Sequence, residues 1–367
     1  MTASRPLRAL VCPLDWGLGH AARCVPLIEA LRQAGFEVAA AAVGLQARLI
    51  QSELPDLKIF PMPGYSITYS RRLPLVIYLL LKTPFFIEKY FRLRRNFLRI
   101  VDAYRPDIVI SDNRPECWKT GAINIYITHQ VNLQYTKFYL LNLFFSFIHR
   151  WFFRTFEYVW VPDFPSKPFL SGNLGHPRKN FLLSPKFFYI GPLSRIKSWE
   201  SPSDFLFDIC FTLSGPEPSR SRWEEKILSE CRLWPEKKFI LIRGTNTGFT
   251  IQPPENIKIL DLASSKELCA AWRKSRYIVC RSGYSTIMDL AMAGRTACLV
   301  PTPGQWEQEY LAQWHAHQGF FSMMSEKEFS LRKVFSEMRE THIFFDSDPT
   351  SFLPMVVSSL KEKLRRN

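Results

Sequence analysis

No run of apolar residues in this 367-residue chain reaches the roughly 18 to 20 needed to cross a bilayer as a helix. The first residues, MTASRPLRALVCPLDWG, have an apolar stretch too short for a secretory signal, so the expected location is cytoplasmic. Eight cysteines are present, but no CxxC pair is, which argues for reduced thiols over disulfides or a zinc site. A nucleophile elbow and a phosphate-binding P-loop are both missing. So are the RNP, zinc-finger and helix-turn-helix signatures, and nucleic acid is not an expected partner. Acidic residues are scarce at the front. Residues 1–190 hold 24 Lys/Arg against 12 Asp/Glu, whereas residues 191–367 hold 24 against 21, so most of the formal charge of +15 belongs to the first half. Such an imbalance suits an anionic membrane surface or a phosphate-bearing acceptor.

What is present is enough apolar material, 47% of residues, for two ordinary domains with separate cores. Strand and helix patterns alternate throughout, which predicts an α/β fold with parallel sheets. The most informative stretch runs from Tyr277 to Ala312. Tyr277–Cys280 reads as a buried strand, 281–285 as a turn, Thr286–Ala293 as a helix, Thr296–Val300 as a strand, and Gln305 onward as a second helix. A strand–loop–helix unit brings backbone N–H groups and a helix dipole to the carboxyl edge of a parallel sheet, an arrangement that favours a phosphate. Ser282, Gly283, Ser285 and Thr286 keep that turn small enough for a diphosphate to come close. Asp289, one turn into the helix, is placed to reach ribose hydroxyls. An ordinary Rossmann-like turn with a helix cap is the plainer alternative.

Earlier in the chain, Leu7–Leu14 reads as a strand. The loop DWGLGH (15–20) then enters a helix ending near Ala34, Gly35 caps it, and Phe36–Val43 is the next strand. Gly17 and Gly19 let the loop backbone approach a ligand, and His20 falls on the helix's first turn. The loop is only a GxG, and no acidic residue closes the second strand, so a dinucleotide site and hydride chemistry are disfavoured. Pro106–Ser111 is a buried strand with Asp112, Asn113 and Arg114 at its tip, and Ile123–Thr128 another, with His129 and Gln130 at its tip. His20 as a capping or core histidine, and Asp112 paired with Arg114, are the competing structural readings. Asp208–Leu213 opens the second domain, with Ser214 and Gly215 in the loop that follows and a helix over about 219–232. Arg243 sits at the tip of strand Phe239–Ile242, either countering phosphate charge or solvated.

RSGYSTIMDLAMAG followed by PTPGQWEQEYLA resembles the donor-binding half of GT-B glycosyltransferases. The nearest resemblance is to the family that adds N-acetylglucosamine to the lipid-linked peptidoglycan intermediate, whose C-terminal domain belongs to glycosyltransferase family 28. The resemblance implies two Rossmann-like domains facing across a cleft: residues 1–193 for the acceptor, 194–350 for the nucleotide sugar, and a terminal helix in 351–367 returning to the first domain. It implies a UDP-sugar donor, no metal and no separate cofactor, with an inverting transfer of a hexose or N-acetylhexosamine to a hydroxyl of a lipid-linked or other cell-envelope glycan acceptor. Donor contacts fall on Ser214, Gly215, Arg243, Ser282, Gly283, Ser285, Thr286, Asp289, Gln305, Glu307 and Gln308. Acceptor contacts fall on Gly17, Gly19, Asn113 and His129. The family's loop at 214–218 is richer in glycine, and here Pro216 and Pro218 remove two N–H donors. His20 resembles the catalytic histidine of related transferases, with Asp112 orienting it, and a histidine near its ordinary pKa of about 6.5 suits proton removal. Two rival classes share the fold: a nucleotide-sugar epimerase or hydrolase, and a non-catalytic scaffold that recruits a partner transferase.

Residues 71–105 join a nine-residue apolar run, Leu73–Leu81, to nine Lys/Arg and two acids. They read either as an interfacial helix, peripheral on the inner face of the cytoplasmic membrane with Arg92, Arg94, Arg95 and Arg99 at the headgroups, or as a core helix under the sheet. Residues 137–154 have the same character. Asp346-Ser347-Asp348 is read as an N-cap turn and not a metal motif, and His315 and His317 as residues of a surface helix.

Overall fold

The computed structural model describes residues 5–15, 17–65, 75–132, 152–176, 186–196, 204–338 and 352–366. The chain divides into two compact units, Met1–Leu193 with Pro349–Asn367, and Ser194–Asp348. Asp346–Asp348 and most of residues 137–154 lie outside the described residues.

In the first unit the elements run β1 (Arg8–Pro13), α1 (Leu18–Gln33), β2 (Glu37–Ala41), α2 (Gly44–Glu53), β3 (Lys58–Phe60), α3 (Leu75–Tyr104), β4 (Ile108–Asp112), β5 (Ile123–Ile127), β6 (Tyr158–Val161) and β7 (Lys186–Tyr189), with α9 (Phe352–Arg366) at the chain's end. All the strands are parallel, in the order β3-β2-β1-β4-β5-β6-β7. Near-continuous apolar runs such as RALVCP and IVIS are what a strand covered on both faces requires, and all five residues of β4 are buried. Pairing of Pro13 with Asp112, and of Asp112 with Ile127, brings the carboxyl ends of β1, β4 and β5 level. The loops after those three strands therefore converge.

Helix α3 settles part of the ambiguity in residues 71–105. Leu93, Phe97, Ile100, Val101 and Tyr104 are buried at helical spacing, and most of them pack with Leu10, Cys12, Ala39 and Val109 beneath the sheet. Another face stays open: Phe85, Ile87, Phe91 and Leu98 are exposed, as are Arg92, Arg95 and Arg99. Its last turns are thus both core and surface. Helix α9 returns to α1, where Lys361 donates to the Ala34 carbonyl at the helix's C-terminus.

The second unit runs β8 (Phe207–Thr212), α4 (Ser219–Arg232), β9 (Phe239–Ile242), β10 (Ile257–Leu260), α5 (Ser265–Arg273), β11 (Ser275–Cys280), α6 (Tyr284–Met292), β12 (Cys298–Leu299), α7 (Trp306–His317), β13 (Ser322–Met323) and α8 (Leu331–Glu337). Its strands are also parallel, ordered β10-β9-β8-β11-β12-β13. Ser264 and Glu267 form a capping box that starts α5, with Glu267 N donating to Ser264 Oγ and Ser264 N to Glu267 Oε2. Trp223, Phe211 and Phe239 fill the core between α4 and the sheet.

One expectation needs correction here. His315 is not on a surface: it is fully buried on α7 against Phe321, while His317 two residues on is exposed. In the loop after Val161 one acidic side chain organises the backbone. The Asp163 carboxylate accepts from the backbone N–H groups of Phe164, Leu170 and Ser171 at 2.7, 2.9 and 2.8 Å, and from the Ser171 hydroxyl, folding a Pro-rich loop around one buried anion. Asp163→Ala strands three buried donors at about 1–3 kcal/mol each, so the first unit should lose about 3 kcal/mol or more. Chemical denaturation measures this, and a loss under about 1 kcal/mol contradicts the anchoring role.

Candidate active site

The first cluster grows from the start of α1. Gly17 stands at the helix N-cap with φ of +76°, a conformation that disfavours a side chain, and Gln46 on α2 pins the loop by donating to the carbonyls of Leu14 and Gly17 at 2.7 and 2.9 Å. Gly19 and His20 then lie on the first helical turn. His20 Nδ1 is 3.0 Å from Asp112 Oδ2, at the carboxyl end of β4. The two residues singled out as base and orienting acid are therefore together, about 90 positions apart in sequence.

A third residue, not anticipated, completes the cluster. Arg23, one turn after His20, donates through Nε to Asp112 Oδ2 at 2.7 Å and through Nη2 to Asp112 Oδ1, and its Nη2 lies 2.9 Å from His20 Nδ1. Its Nη1 is 3.4 Å from Nδ1 of His129, which stands just past β5. Arg23, Asp112 and His129 are buried, while the His20 side chain keeps 15% of its surface open. The i, i+3 spacing of His20 and Arg23 on one helix face was the available signal. Burial alone raises the Asp112 pKa, but the charges of Arg23 and His20 overcome this and hold the carboxyl well below the usual range. Burial and the Arg23 charge lower the His20 pKa, against the opposing pull of Asp112. Cys24 is pushed the other way by burial and by Asp112, so its thiol stays protonated.

Asp112 does not pair with Arg114. That guanidinium bonds Glu116 at 2.8 Å and the Pro63 carbonyl at 2.7 Å, both side chains being fully buried, and Tyr65 donates to Glu116 as well. Asn113 takes a left-handed conformation, φ of +54°, and its N–H reaches the Ile127 carbonyl. The turn so made directs the chain away from β4 and leaves Asp112 facing α1.

In the second unit, the N-terminus of α6 follows β11 through Arg281, Ser282 and Gly283. Ser282 is fully buried and donates to the Gln308 carbonyl at 2.7 Å; the Gln308 side chain accepts from Thr302 N at 2.9 Å. These bonds tie the ends of β11 and β12 to α7. Gly283 is the N-cap of α6, and Ser285 and Thr286 are half-buried in its first turn. Gln305 caps α7, with Glu307 half-buried behind it. After β8, Ser214 is half-buried and Gly215 exposed, the latter at φ of +111°. Asp289 is buried, its Oδ1 accepting from Ser194 Oγ at 2.6 Å and Arg195 N at 3.2 Å. Burial raises its pKa against the nearby Arg195 charge. Arg281 passes under the turn, bonding the Val300 and Pro301 carbonyls and Glu326.

Arg243 corrects the sequence reading. It is neither solvated nor available: Glu224 accepts from Nε at 2.5 Å and Nη2 at 3.1 Å, Asp261 and Thr247 take Nη1, and Gly248 shares Nη2. All five guanidinium N–H groups are occupied. Phe249 stacks 3.6 Å beneath it. Among the described residues, no group of three His, Cys, Asp or Glu side chains is placed to hold a metal ion.

Residues 223–343 match the glycosyltransferase family 28 C-terminal domain, which spans the α6 and α7 residues just described. An uncharacterized glycosyltransferase from Methanosarcina acetivorans is 25% identical over 351 residues, covering 84% of this chain and 83% of the relative. Similar solved structures include the glycosyltransferase SnogD from Streptomyces nogalater, 16% identical with a TM-score of 0.61 over 98% of this chain and 95% of that one. The spinosyn rhamnosyltransferase SpnG, solved with thymidine diphosphate, is 15% identical with a TM-score of 0.58 over 98% of this chain and all of its own. A structure carrying the name UDP-N-acetylglucosamine 2-epimerase, from Listeria monocytogenes, is 11% identical with a TM-score of 0.60 over 99% of this chain and 98% of its own. The fold is GT-B. With the family 28 domain in its second unit, the chain is a nucleotide-sugar-dependent glycosyltransferase.

Because Glu224 balances Arg243 inside the second unit, its removal leaves a buried cation short of a partner. Glu224→Ala should cost that unit about 3–5 kcal/mol. Denaturant unfolding reads this out, and a change below about 1 kcal/mol means that the arginine finds compensation elsewhere.

Proposed function

We propose that the chain transfers a hexose or N-acetylhexosamine, with inversion, from a UDP-sugar to a hydroxyl of a lipid-linked or other cell-envelope acceptor, with His20 as the base. The observation that carries this reading is the contact of His20 with Asp112 at the carboxyl edge of the first sheet, where loops of a parallel sheet present ligands. When Asp112 accepts from Nδ1–H, the lone pair of His20 lies on Nε2, ready for a hydroxyl proton. The acceptor oxygen then bonds to the anomeric carbon as the bond from that carbon to the diphosphate oxygen breaks. The proton ends on His20 and the electron pair on the departing diphosphate.

In this reading the second unit holds the donor. The diphosphate lies against the start of α6, at Gly283, Ser285 and Thr286, with Ser214 and Gly215 opposite, and the helix N-terminus stabilises its developing charge. Gln305 and Glu307 face the sugar. Ser282 and Gln308 support the turn, and Asp289 reaches the ribose by giving up a present partner. Acceptor contacts come from Gly17, Gly19, Asn113 and His129. The peptidoglycan intermediate is one member of this acceptor class, whereas the family 28 match, confined to residues 223–343, bears on the donor half. Incubation with a UDP-sugar panel and lipid extract should release UDP only when acceptor is present. His20→Ala should lower that rate by about 10²–10⁴-fold. Undiminished turnover in the variant removes His20 from the mechanism, and UDP release without acceptor favours a hydrolase instead.

The lipid side of this reading is supported by the open face of α3, where Phe91 and Leu98 stand beside Arg92, Arg95 and Arg99. An apolar stripe edged by cations fits the interface of an anionic bilayer. At about 1 kcal/mol for each arginine, replacing all three by Gln should weaken binding to phosphatidylglycerol vesicles by roughly 100-fold, with little change on phosphatidylcholine. Co-sedimentation tests this, and equal binding by variant and parent rules the face out.

A further inference from the structure

The His20–Asp112 pair alone does not explain how His20 would remain a base. A carboxylate and an imidazole 3.0 Å apart favour an imidazolium–carboxylate pair, and an imidazolium has no lone pair to take a proton. The structure holds a third group where this problem arises. Arg23 spans both carboxylate oxygens of Asp112 and presents the same Nη2 at 2.9 Å from His20 Nδ1. An arginine is always charged and has no acceptor. Its proximity therefore has two consequences: it neutralises Asp112, and it repels any positive charge on His20.

We propose that Arg23 is a positioning residue for the His20 base, clamping the Asp112 carboxylate and keeping the imidazole neutral. Arg23 and Asp112 compensate each other, so adding a proton to His20 would leave the buried cluster with one net positive charge. The other titratable groups facing His20 do not change that balance. Cys24, one turn on along α1 with its Sγ 3.8 Å from Asp112 Oδ2, is held as a neutral thiol by burial and by Asp112, with Cys12 on β1 adding to the same effect. His129, past β5, has its Nδ1 3.4 Å from Arg23 Nη1. Nδ1 also has two incompatible neighbours. Facing Asp112 it must carry the proton, leaving Nε2 bare; facing Arg23 it must accept, leaving the proton on Nε2. Arg23 holds both carboxylate oxygens, and His20 shares Oδ2 with the Arg23 Nε, so the clamp sets the position of the oxygen that His20 meets and affects which nitrogen carries the proton.

This inference rests on His20 being the base, but its test does not need turnover. The His20 imidazole is followed by proton–nitrogen NMR across pH 4 to 9, assigned with His20→Asn. In the parent protein the midpoint should lie below the ordinary value of about 6.5. Arg23→Gln, which keeps polarity and removes the charge, should raise it by at least about one pH unit. Asp112→Asn, which keeps Arg23 but removes the anion, should lower it. Where transfer is measurable, the acid limb of kcat/KM should move upward with the Arg23→Gln midpoint, costing about tenfold in activity below it, and Arg23→Lys should leave the limb near its parental position. A parental midpoint at or above 6.5 overturns the proposal even if no variant folds, as does a midpoint unmoved in Arg23→Gln. Loss of the His20 role in transfer, with these shifts intact, would instead count against the base assignment alone.

Discussion

One ion pair at the carboxyl edge of the first sheet conditions the rest of the candidate site: the contact of Arg23 with Asp112. It exists because of register. Pairing of Pro13 with Asp112 places the end of β4 beside the end of β1, and the loop after β1 needs only four residues to enter α1. The helix then starts close enough for residues on its first two turns to reach across the neighbouring strand. Both partners are nearly inaccessible to water. Removing either would leave a buried charge uncompensated, a far larger penalty than the pair's own net contribution. The pair is therefore poor evidence for stability but strong evidence for geometry, since the carboxylate can hold no other orientation while the guanidinium brackets it. His20, with more of its side chain open, inherits that orientation.

The second unit solves a comparable problem without charge. Ser282, Thr302 and Gln308 connect two strand ends to α7 through one hydroxyl–carbonyl and one amide–backbone bond. These bonds fix the α6 turn, with Gly283 at the helix N-cap. The buried cations of this unit are balanced within it, Arg243 by Glu224 and Asp261, and Arg281, which passes under the turn, by Glu326. A turn whose residues 281–286 include no carboxylate suits an incoming dianionic group better than one already occupied by an anion.

Which parts of this were legible in the sequence follows from what periodicity can encode. Buried parallel strands announce themselves as apolar runs, so β1, β4, β8 and β9 fall within a residue or two of their expected spans. The short strands β12 and β13, of two residues each, carry too little pattern to be bounded. Helix α2 has a weak apolar face, and its one clear task, performed by Gln46, is a hydrogen bond to a loop 30 residues away that no local window reveals. Side-chain pairing was the least legible level. His20 with Asp112 was accessible because both sat at strand or helix tips in a topology that brings tips together. Arg23 was not, because a lone arginine inside a helical pattern reads as solvent-facing unless its partner is known to lie beneath. The same applies to Arg243, whose position at a strand tip suggested a ligand contact but whose acidic neighbours come from α4 and from Asp261, just past the end of β10. Strand-tip placement narrows where a charged side chain starts; only packing shows which way it turns.

Helix α3 shows how a helix can pack into a core and still keep one face open. With 3.6 residues per turn, a helix can commit one stripe to the sheet and leave the remainder free. Leu93, Phe97 and Val101 take the first role, and Phe91, Arg95 and Leu98 are on the other side. Burying the inner stripe anchors the helix, since each large apolar side chain contributes about 1.5–3 kcal/mol. Only a helix so anchored can present an apolar outer stripe without rolling it inward. The same packing that makes α3 part of the first unit's core is therefore what keeps its second face exposed, and the excess of arginine along that face limits its association with other apolar protein surfaces while leaving it compatible with an anionic one.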